Sequence, residues 1–390
     1  MVIRNKQIAH LDLDCFFVSV ERIKDRSLVG KPVVVGGAPG GRGVVASASY
    51  EARAFGVRSA MPTAQALRLC PQLVVVHSRH HDYGEISDRL YRRMCELAPV
   101  VERASIDEMY LDLTGCASLY GNDLPGFMKT LQTLVKAEFE LPCSVALASS
   151  KTLAKIAVGT VKPSGVCVIP HGQEERFLAP LPIDVIPGVG KKTAEFLARR
   201  GFKCVADLQL ITEEKLVQLL GAHGTWLYRV VHGFGSDEVS PEHDRKSISH
   251  EETFARDIGD RRKLEEILFS HVEDVCSSLR AKGWKARTVG LKLRYADFTT
   301  VTRARTVDAT DDDPVVYRTV RELLRTAYGG GEPVRLIGVH LSNFDDATQL
   351  ELPLLPHEEK RHEVLKAVDE IRAKYGDGVI HVGTEGDSEG

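Results

Sequence analysis

Short apolar runs alternate with amphipathic segments over the first 170 residues of the chain. Apolar runs that predict strands cover residues 7–14, 31–37, 44–48, 73–76, 100–104, 109–113 and 144–148. Apolar residues at helical spacing predict helices at residues 16–24, 50–55, 63–70, 82–97 and 124–139. Four of the strands, with two helices crossing one face, fit a ferredoxin-like α+β core in which residues 19–78 form an insertion.

The pattern changes after residue 170, where short helices and short loops predominate as far as about residue 235. Residues 236–246 are polar and predict a linker. Beyond the linker, predicted helices at 260–281 and 314–328 alternate with predicted strands at 288–295, 300–306 and 335–344, and residues 348–390 form a tail. A chain of 390 residues is too long for one ordinary core, so we expect a multidomain α+β protein.

Composition narrows the class of protein. Apolar residues make up 43% and charged residues 27% of the chain, as in soluble globular proteins. No apolar run approaches the roughly 18 residues of a membrane span, and the N-terminus lacks the apolar segment of a signal peptide. The 8 cysteines are scattered without a Cys-x-x-Cys pair, which indicates reduced thiols and argues against zinc or disulfides. We therefore expect a cytoplasmic protein that does not contact a membrane.

Charge is unevenly distributed along the chain. The formal net charge is −3, and acidic residues are concentrated after residue 346. Residues 282–305 instead contain seven lysines and arginines against one acidic residue, Asp297. This distribution permits a nucleic-acid partner without requiring one.

Two predicted strands carry carboxylates at their ends. Asp12 and Asp14 are two residues apart, so on one strand their side chains would project from the same face. Asp107 and Glu108 open another predicted strand. Clustered carboxylates repel each other unless a cation holds them, and oxygen ligands alone favour Mg²⁺ or Mn²⁺ over Zn²⁺. Two such ions about 4 Å apart suit in-line displacement at phosphorus; the alternative is a solvated acidic turn.

A glycine-rich turn followed by two lysines lies in the helical region. Gly188 and Gly190 precede Lys191 and Lys192 at a predicted helix start, where free backbone N–H groups suit a phosphate. The pattern is typical of a helix-hairpin-helix, which holds a DNA backbone without reading bases. The alternative is a turn that only connects two helices.

Basic residues alternate with apolar ones on two neighbouring predicted strands. Lys292 and Arg294 alternate with leucines, and Arg303 and Arg305 repeat the arrangement on the next strand. We expect the four to share one cationic face that follows a phosphate backbone. The alternative is an ordinary solvated face.

Other side chains suit a nucleotide. Tyr50 and Arg53 lie three apart on one predicted helix, and Lys162 lies in a later turn. A guanidinium beside a phenol suits polyphosphate oxygens, although each feature alone is more often a surface ion pair or an exposed loop. Phe16 and Phe17 follow the first carboxylates and are either core residues or rings that pack under a ribose and exclude a 2′-hydroxyl.

Together these motifs resemble those of the Y-family DNA polymerases, and within that family the bacterial DNA polymerase IV class. Residues 12–21 (DLDCFFVSVE), 48–57 (ASYEARAFGV) and 105–112 (SIDEMYLD) are similar to three signatures of the family. Residues 151–165, the hairpin and residues 334–339 also resemble family signatures, so the match spans roughly residues 7–345 in order. The resemblance implies a template-directed, low-fidelity translesion polymerase that has no proofreading domain.

The resemblance also implies roles for individual residues. The carboxylates expected to hold two Mg²⁺ ions, or Mn²⁺ in their place, are Asp12, Asp107 and Glu108, helped by the Leu13 carbonyl, with Glu108 as the family's catalytic acid. Phe17 is the expected sugar gate with Phe16 beside it, and the expected triphosphate ligands are Tyr50, Arg53 and Lys162, with Ser47 nearby. The residues expected to contact primer–template DNA are Gly188, Gly190, Lys191, Lys192, Lys292, Arg294, Arg303, Arg305 and Arg335.

The implied architecture is a right hand. It comprises a palm at residues 1–18 and 79–169, fingers at 19–78, a thumb with the helix-hairpin-helix at 170–236, a linker at 237–247, a DNA-binding little finger at 248–345 and an acidic tail at 346–390. In the tail, Gln349, Leu352 and Leu354 resemble the short peptide by which such polymerases bind the sliding clamp, although short motifs often match by chance. We expect a monomer.

Two other functions remain open from the sequence. A nucleotidyl cyclase also has a palm-like core with two acidic positions, but that reading leaves the helix-hairpin-helix and the basic second α+β unit unexplained. A DNA-binding scaffold with an inactive palm is the non-enzymatic alternative, and the intact set of three carboxylates argues against it.

Overall fold

The computed structural model describes residues 6–236, 238–241, 245–346, 356–375 and 379–380. The chain divides into two units, Met1–His243 and Asp244–Gly390. The helices and strands of the first unit are, in chain order, β1 (Ile8–Leu13), α1 (Phe16–Lys24), β2 (Val33–Gly36), β3 (Val45–Ala48), α2 (Tyr50–Ala54), α3 (Thr63–Leu69), β4 (Val74–Val76), α4 (His80–Cys95), β5 (Val100–Arg103), β6 (Glu108–Asp112), α5 (Leu124–Phe139), β7 (Cys143–Ala148), α6 (Lys151–Val161), β8 (Val166–Val168), α7 (Glu174–Leu178), α8 (Lys191–Ala198), α9 (Val205–Gln209), α10 (Glu213–Leu220) and α11 (Ala222–Val231).

The larger sheet of the first unit has the strand order β5-β6-β1-β7-β8. The elements β1, α4, β5, β6, α5 and β7 follow one another as β-α-β-β-α-β with the spatial order β5-β6-β1-β7, which confirms the ferredoxin-like prediction. β8 adds a fifth strand parallel to β7. The sequence pattern did not predict β8.

The two faces of this sheet have different roles. Leu11 of β1 and Met109 of β6 are fully buried in the core that includes Leu90 of α4. Side chains alternate along a strand, so the neighbouring positions, including Asp12 and Glu108, project from the opposite face. The helix α6 packs against β1 and β7. β1 and β6 thus present apolar residues to one core and polar residues to the other side.

Two further groups of elements complete the first unit. The inserted sheet has the order β3-β2-β4, with β2 parallel to β4, and packs with α2 and α3 around Val34 and Ala66. The helices α7 to α11 share a core with α6. The close approach of α10 and α11 requires Gly224, because a Cβ atom there would collide with the backbone of Leu216.

The second unit contains β9 (Ser247–Ile258), α12 (Arg261–Arg280), β10 (Trp284–Tyr295), β11 (Thr300–Thr310), α13 (Asp313–Ala327), β12 (Val334–Asp346) and α14 (Pro356–Tyr375). Its sheet has the order β11-β10-β12-β9 and is antiparallel throughout. Val289 and Leu291 of β10 share a core with Leu268 of α12 and Val320 of α13. The predicted second α+β unit is confirmed, with β9 as an additional strand.

Residues 356–375 of the predicted tail form a helix that packs on α12. Arg280 Nε lies 2.6 Å from Asp369 Oδ2, while Arg280 Nη1 lies 2.6 Å from Asp313 Oδ1. Arg372 Nη2 lies 2.6 Å from Glu273 Oε1 in a second buried ion pair. Because unpaired charges are costly to bury, these pairs fix where α14 can dock on the second unit.

Candidate active site

One cleft in the first unit collects side chains from five separate segments of the chain. It is lined by Asp12, Leu13, Cys15, Phe16, Phe17, Ala46, Ser47, Tyr50, Arg53, Ser59, Asp107, Glu108 and Lys162. All ten residues that the sequence predicted for catalysis, metal binding or nucleotide binding are in this set. Cys15, Ala46 and Ser59 were not predicted, because small side chains carry no distinctive pattern.

The antiparallel pairing of β1 with β6 brings the carboxylates together. Asp12 and Glu108 are direct cross-strand partners, and Asp107 immediately precedes β6. The Leu13 amide donates a hydrogen bond to the Asp107 carbonyl at 3.0 Å. Ser105 Oγ lies 2.6 Å from Asp107 Oδ1 and accepts a hydrogen bond from the Glu108 amide at 3.1 Å. Ser105 was not predicted and holds the turn that carries two of the three carboxylates.

Two lysines neutralise the paired carboxylates. Lys162 Nζ lies 2.5 Å from Asp12 Oδ2, and Lys155 Nζ lies 2.5 Å from Glu108 Oε2. Burial raises the pKa of Asp12 to about 7, although the charge of Lys162 lowers it. The neighbouring carboxylates of Glu108 and Asp107 add to the upward shift. Burial also tends to raise the pKa of Glu108, but the hydrogen bond and the charge of Lys155, with smaller contributions from His10 and Asp12, together outweigh it and hold that pKa below its usual range.

A buried imidazole lies beside the same carboxylates. His10 stacks on Tyr110 with ring centroids 4.5 Å apart, and among the described residues neither ring nitrogen has a hydrogen-bond partner. Burial lowers the pKa of His10 to about 3, so the ring is neutral. Potential ligand atoms of His10, Asp12 and Glu108 lie within 4.8 Å of one another. The sequence predicted oxygen ligands alone, so the nitrogen of His10 is an unexpected neighbour.

The donor set fits a divalent cation. Two facing carboxylates, one of them with a raised pKa, are stabilised when a cation lies between them. Oxygen-rich sites suit Mg²⁺ or Mn²⁺, and an imidazole is a better ligand for Mn²⁺ than for Mg²⁺. Asp107 lines the cleft but is outside the closest ligand group.

Asp14 does not share a face with Asp12, contrary to the sequence-based expectation. β1 ends at Leu13, so the two-residue alternation of the strand no longer applies at position 14. The Asp14 carboxylate is buried and accepts hydrogen bonds from Tyr50 Oη at 3.1 Å, from Ser144 Oγ at 3.1 Å and from the Ser164 amide at 2.7 Å. Its role is to hold the walls of the cleft in place.

Tyr50 and Arg53 are positioned by the start of α2. Ser49 caps this helix by accepting a hydrogen bond from the Ala52 amide at 3.1 Å. Arg53 Nε donates to the Ala48 carbonyl at 3.0 Å, and its guanidinium carbon lies 4.8 Å from the centroid of the Tyr50 ring. Both side chains therefore reach the cleft together, as their spacing predicted.

The two phenylalanines have different environments. Phe16 is almost fully buried, whereas Phe17 is half-buried and stacks on Tyr83 of α4 with ring centroids 4.3 Å apart. Tyr83 Oη donates a hydrogen bond to Glu21 Oε1 at 2.7 Å. Cys15, which precedes the two rings, has a φ of 49° and turns the chain from β1 into α1. Burial raises the pKa of the Cys15 thiol to about 11.

The predicted helix-hairpin-helix lies away from this cleft. The helix before the hairpin is a three-residue 3₁₀ helix, Ile183–Val185, and the helix after it is α8. Gly188 has a φ of 97°, and a Cβ atom there would lie 2.9 Å from the ring of Trp226. Gly190 caps α8, and Lys191 and Lys192 are exposed on its first turn.

The prediction that four basic residues of the second unit share one cationic face is wrong. Lys292 and Arg294 lie opposite Thr302 and Thr300, whereas Arg303 and Arg305 lie opposite Leu291 and Val289, whose side chains face the helices. Cross-strand partners share a face, so the four basic residues divide between the two faces. Consistent with this division, Arg305 forms an ion pair with Glu322 of α13.

The remaining predicted DNA contacts have partners within the second unit. Lys292 Nζ lies 2.6 Å from Glu251 Oε2, across the strand that contains Gly338. A Cβ atom at Gly338 would lie 2.6 Å from Glu251 Cγ, so glycine is needed for this contact. Arg335 stacks its guanidinium over the exposed ring of Phe298 at 4.5 Å. Gln349, Leu352 and Leu354 lie outside the described residues.

In the described part of the chain, we find no helix that combines the length and the apolar character needed to span a membrane. Two family models match the chain: the impB/mucB/samB family over residues 11–159, and the C-terminal domain of the same family over residues 245–354. The first match lies in the first unit and contains the three carboxylates.

Curated relatives and solved structures are similar over most of the chain. A DNA polymerase IV from Dehalococcoides mccartyi strain CBDB1 is 37% identical over 97% of this chain and 97% of its own length. A DNA polymerase IV from Caulobacter vibrioides is 39% identical over 96% of this chain and 93% of its own length. The solved Y-family DNA polymerase chimera Dbh-Dpo4(243-245)-Dbh has a TM-score of 0.75 and 27% identity, covering 86% of this chain and 98% of that one.

Proposed function

The chain belongs to the impB/mucB/samB family of Y-family DNA polymerases, and we propose that the cleft between β1, α2 and β6 is its nucleotidyl-transfer site. The protein is a DNA-directed DNA polymerase of the translesion type, with a multidomain α+β polymerase fold. The observation that carries the assignment of the site is the convergence of ten predicted residues in one cleft.

Asp12, Asp107 and Glu108 would hold the divalent cations, together with the Leu13 carbonyl. Two Mg²⁺ ions, or Mn²⁺ in their place, would stabilise charge at the α-phosphate and activate the primer 3′-hydroxyl. The carboxylates contribute by fixed geometry: β1 and β6 hold Asp12 opposite Glu108, and Ser105 holds Asp107. This arrangement is formed by the fold itself, so little reorganisation is needed when the reactants bind.

The other cleft residues would bind the incoming deoxynucleoside triphosphate. Arg53, Lys162 and Tyr50 present a guanidinium, an ammonium and a phenol to its phosphate oxygens, with Ser47 nearby. Phe17 would pack against the sugar and exclude a 2′-hydroxyl, with Phe16 supporting the start of α1.

We assign the larger sheet of the first unit to the palm, the inserted sheet to the fingers and the helices α7 to α11 to the thumb. The second unit, without its C-terminal tail, would be the little finger. Lys191 and Lys192 at the hairpin, with Lys292, Arg294, Arg303, Arg305 and Arg335 in the second unit, would contact the DNA backbone. Because the last five do not share one face, they cannot all contact the same stretch of phosphates.

We also infer that Gln349, Leu352 and Leu354 bind the sliding clamp. The protein would act as a monomer in the cytoplasm.

Primer extension with Asp107→Asn tests the assignment of the site. The change removes a charge and keeps the shape of the side chain, so extension should fall by several orders of magnitude while DNA binding is retained. Asp112→Asn is the matched control, because Asp112 ends the strand that Asp107 precedes but pairs with Lys6 outside the cleft. Extension by Asp107→Asn within about tenfold of wild type would contradict the proposed site.

A further inference from the structure

Lys155 is a cation at the active site to which the sequence motifs assigned no role. It lies on α6, which packs against β1, and its ammonium lies 2.5 Å from Glu108 Oε2. Lys162 immediately follows the same helix and makes the equivalent contact with Asp12. α6 and the residue after it thus bring one ammonium group to each of two carboxylates that face each other.

The two lysines differ in their surroundings. Lys162 lines the cleft with Tyr50 and Arg53, where a triphosphate would draw it away from Asp12. Lys155 is not among the lining residues, and its side chain is 37% exposed. In the part of the chain that the structure describes, the ion-pair partner of Lys155 is Glu108.

An ammonium at this distance opposes cation binding in two ways. It occupies a carboxylate oxygen that a metal ion would use as a ligand, and it places a positive charge within a few ångströms of the ion. Glu108 is only 20% exposed, so water screens this repulsion incompletely. The same hydrogen bond orients the Glu108 carboxylate, which would otherwise rotate about its side-chain bonds.

We propose that Lys155 is a positioning residue that orients Glu108 and competes with divalent cations for its carboxylate. This inference rests on the proposed role of Glu108 as a metal ligand. A cation that binds Glu108 must displace the ammonium or share the carboxylate with it. Lys155 therefore sets the cation concentration at which Glu108 is occupied.

Binding of Mn²⁺ to the full chain, without DNA or nucleotide, tests the proposal independently of catalysis. Free Mn²⁺ is measured by electron paramagnetic resonance for wild type and for Lys155→Met, which removes the charge and keeps the length of the side chain. We expect the variant to bind Mn²⁺ about tenfold more tightly, which corresponds to about 1.4 kcal/mol. Lys155→Gln should shift the affinity in the same direction.

Lys151→Met is the matched control. Lys151 lies one turn before Lys155 on α6, and its ammonium pairs with Glu102 at 2.8 Å. This variant should leave the Mn²⁺ affinity within about twofold of wild type, and thermal unfolding should show that all variants are folded. Equal tightening in Lys151→Met would mean that net charge alone is responsible, and the proposal would then be wrong.

Glu108→Gln separates this inference from the proposed function. If Glu108→Gln does not weaken Mn²⁺ binding, Glu108 is not a metal ligand and the assignment of the site fails. If it weakens binding but both Lys155 variants bind Mn²⁺ as wild type does or more weakly, only the competition is refuted. Weakened binding in Glu108→Gln with tightened binding in both Lys155 variants supports both.

Discussion

The ring of Phe17 is held by side chains from two helices. Tyr83 of α4 stacks on it with an interplanar angle of 14°, and the Tyr83 hydroxyl is anchored to Glu21 of α1. Tyr83 and Glu21 are both almost fully buried. Phe17 therefore cannot turn out of the cleft without breaking a stacked contact, which is what a steric filter for the sugar requires.

Replacing Phe17 with Ala is expected to reduce the preference for deoxynucleotides. In the proposed role the ring would fill the space that a 2′-hydroxyl needs, and a clash of about 4 kcal/mol would correspond to discrimination of about 10³. Deoxynucleotide use should fall modestly because packing is lost, while ribonucleotide use should rise. The measurement is the ratio of kcat/KM for a deoxynucleotide to kcat/KM for the matching ribonucleotide, in wild type and in Phe17→Ala.

Tyr83→Phe is the control for this experiment. It keeps the ring that supports Phe17 and removes only the hydroxyl bonded to Glu21, so the ratio should change by less than about threefold. A ratio in Phe17→Ala equal to that of wild type would mean that Phe17 is a core residue and that the sugar is selected elsewhere.

Residues that share a motif could be predicted from sequence, whereas residues recruited by packing could not. Asp12, Asp107 and Glu108 were recognisable because each sits in a motif with a characteristic spacing. His10 and Lys155 reach the same carboxylates through strand pairing and through the crossing of α6. Neither contact follows from sequence separation, so both were found only in the structure.

At the level of elements, local pattern was a good guide where apolar residues were periodic. α1 and α5 were predicted with their observed bounds. α6 was not predicted as a helix, although Ala154, Ala157, Val158 and Val161 stand at helical spacing. β9 was missed because it is a polar edge strand with few buried positions.

The register between strands of the second unit could not be predicted from the sequence. Alternation placed Arg303 and Arg305 correctly on one face of β11 but could not say which face of the sheet that was. The turn between β10 and β11 sets the register, and a one-residue shift moves every side chain to the other face.

Two stacked imidazoles between β9 and α12 should make the second unit sensitive to acid. His250 and His271 have ring centroids 4.2 Å apart, with Asp274 2.8 Å from His250 Nδ1 and Glu252 3.6 Å from His271 Nε2. Burial lowers the pKa of His271 to about 4, and the charge of His250 adds to the effect. The folded unit therefore keeps His271 neutral at pH values where the unfolded chain protonates it.

Lowering the pH from 7 to 5 should destabilise the second unit by about 2 kcal/mol through His271 alone. The unfolded imidazole, with a pKa of about 6.5, takes up a proton that the folded one does not, so stability is lost as the pH falls below about 6.5. Urea unfolding followed by Trp284 fluorescence in a Trp226→Phe background reports on this unit, since Trp226 lies in the first. His271→Gln should lose less stability over this pH range; a loss equal to that of wild type would contradict the prediction.

At the level of the whole molecule, the proposed active site lies in one unit. All ten predicted catalytic and nucleotide-binding residues are in the first unit, and the second contributes a sheet with two helices packed on one face. The two family models fall on either side of the boundary near residue 244. Changes in the second unit are therefore expected to alter DNA binding more than the chemical step.

The proposed clamp-binding peptide lies between β12, which ends at Asp346, and α14, which begins at Pro356. Both flanking elements belong to the second unit, and Arg280 anchors α14 through Asp369. Leu352 and Leu354 are apolar residues in an acidic stretch, and their proposed use is to fill pockets on the clamp.

Changing both Leu352 and Leu354 to Ala should leave distributive primer extension unchanged and abolish its stimulation by the sliding clamp. Val364→Ala is the matched control because Val364 is exposed on α14, outside the peptide, and stimulation should persist there. If stimulation also survives the double change, the clamp is bound through another surface.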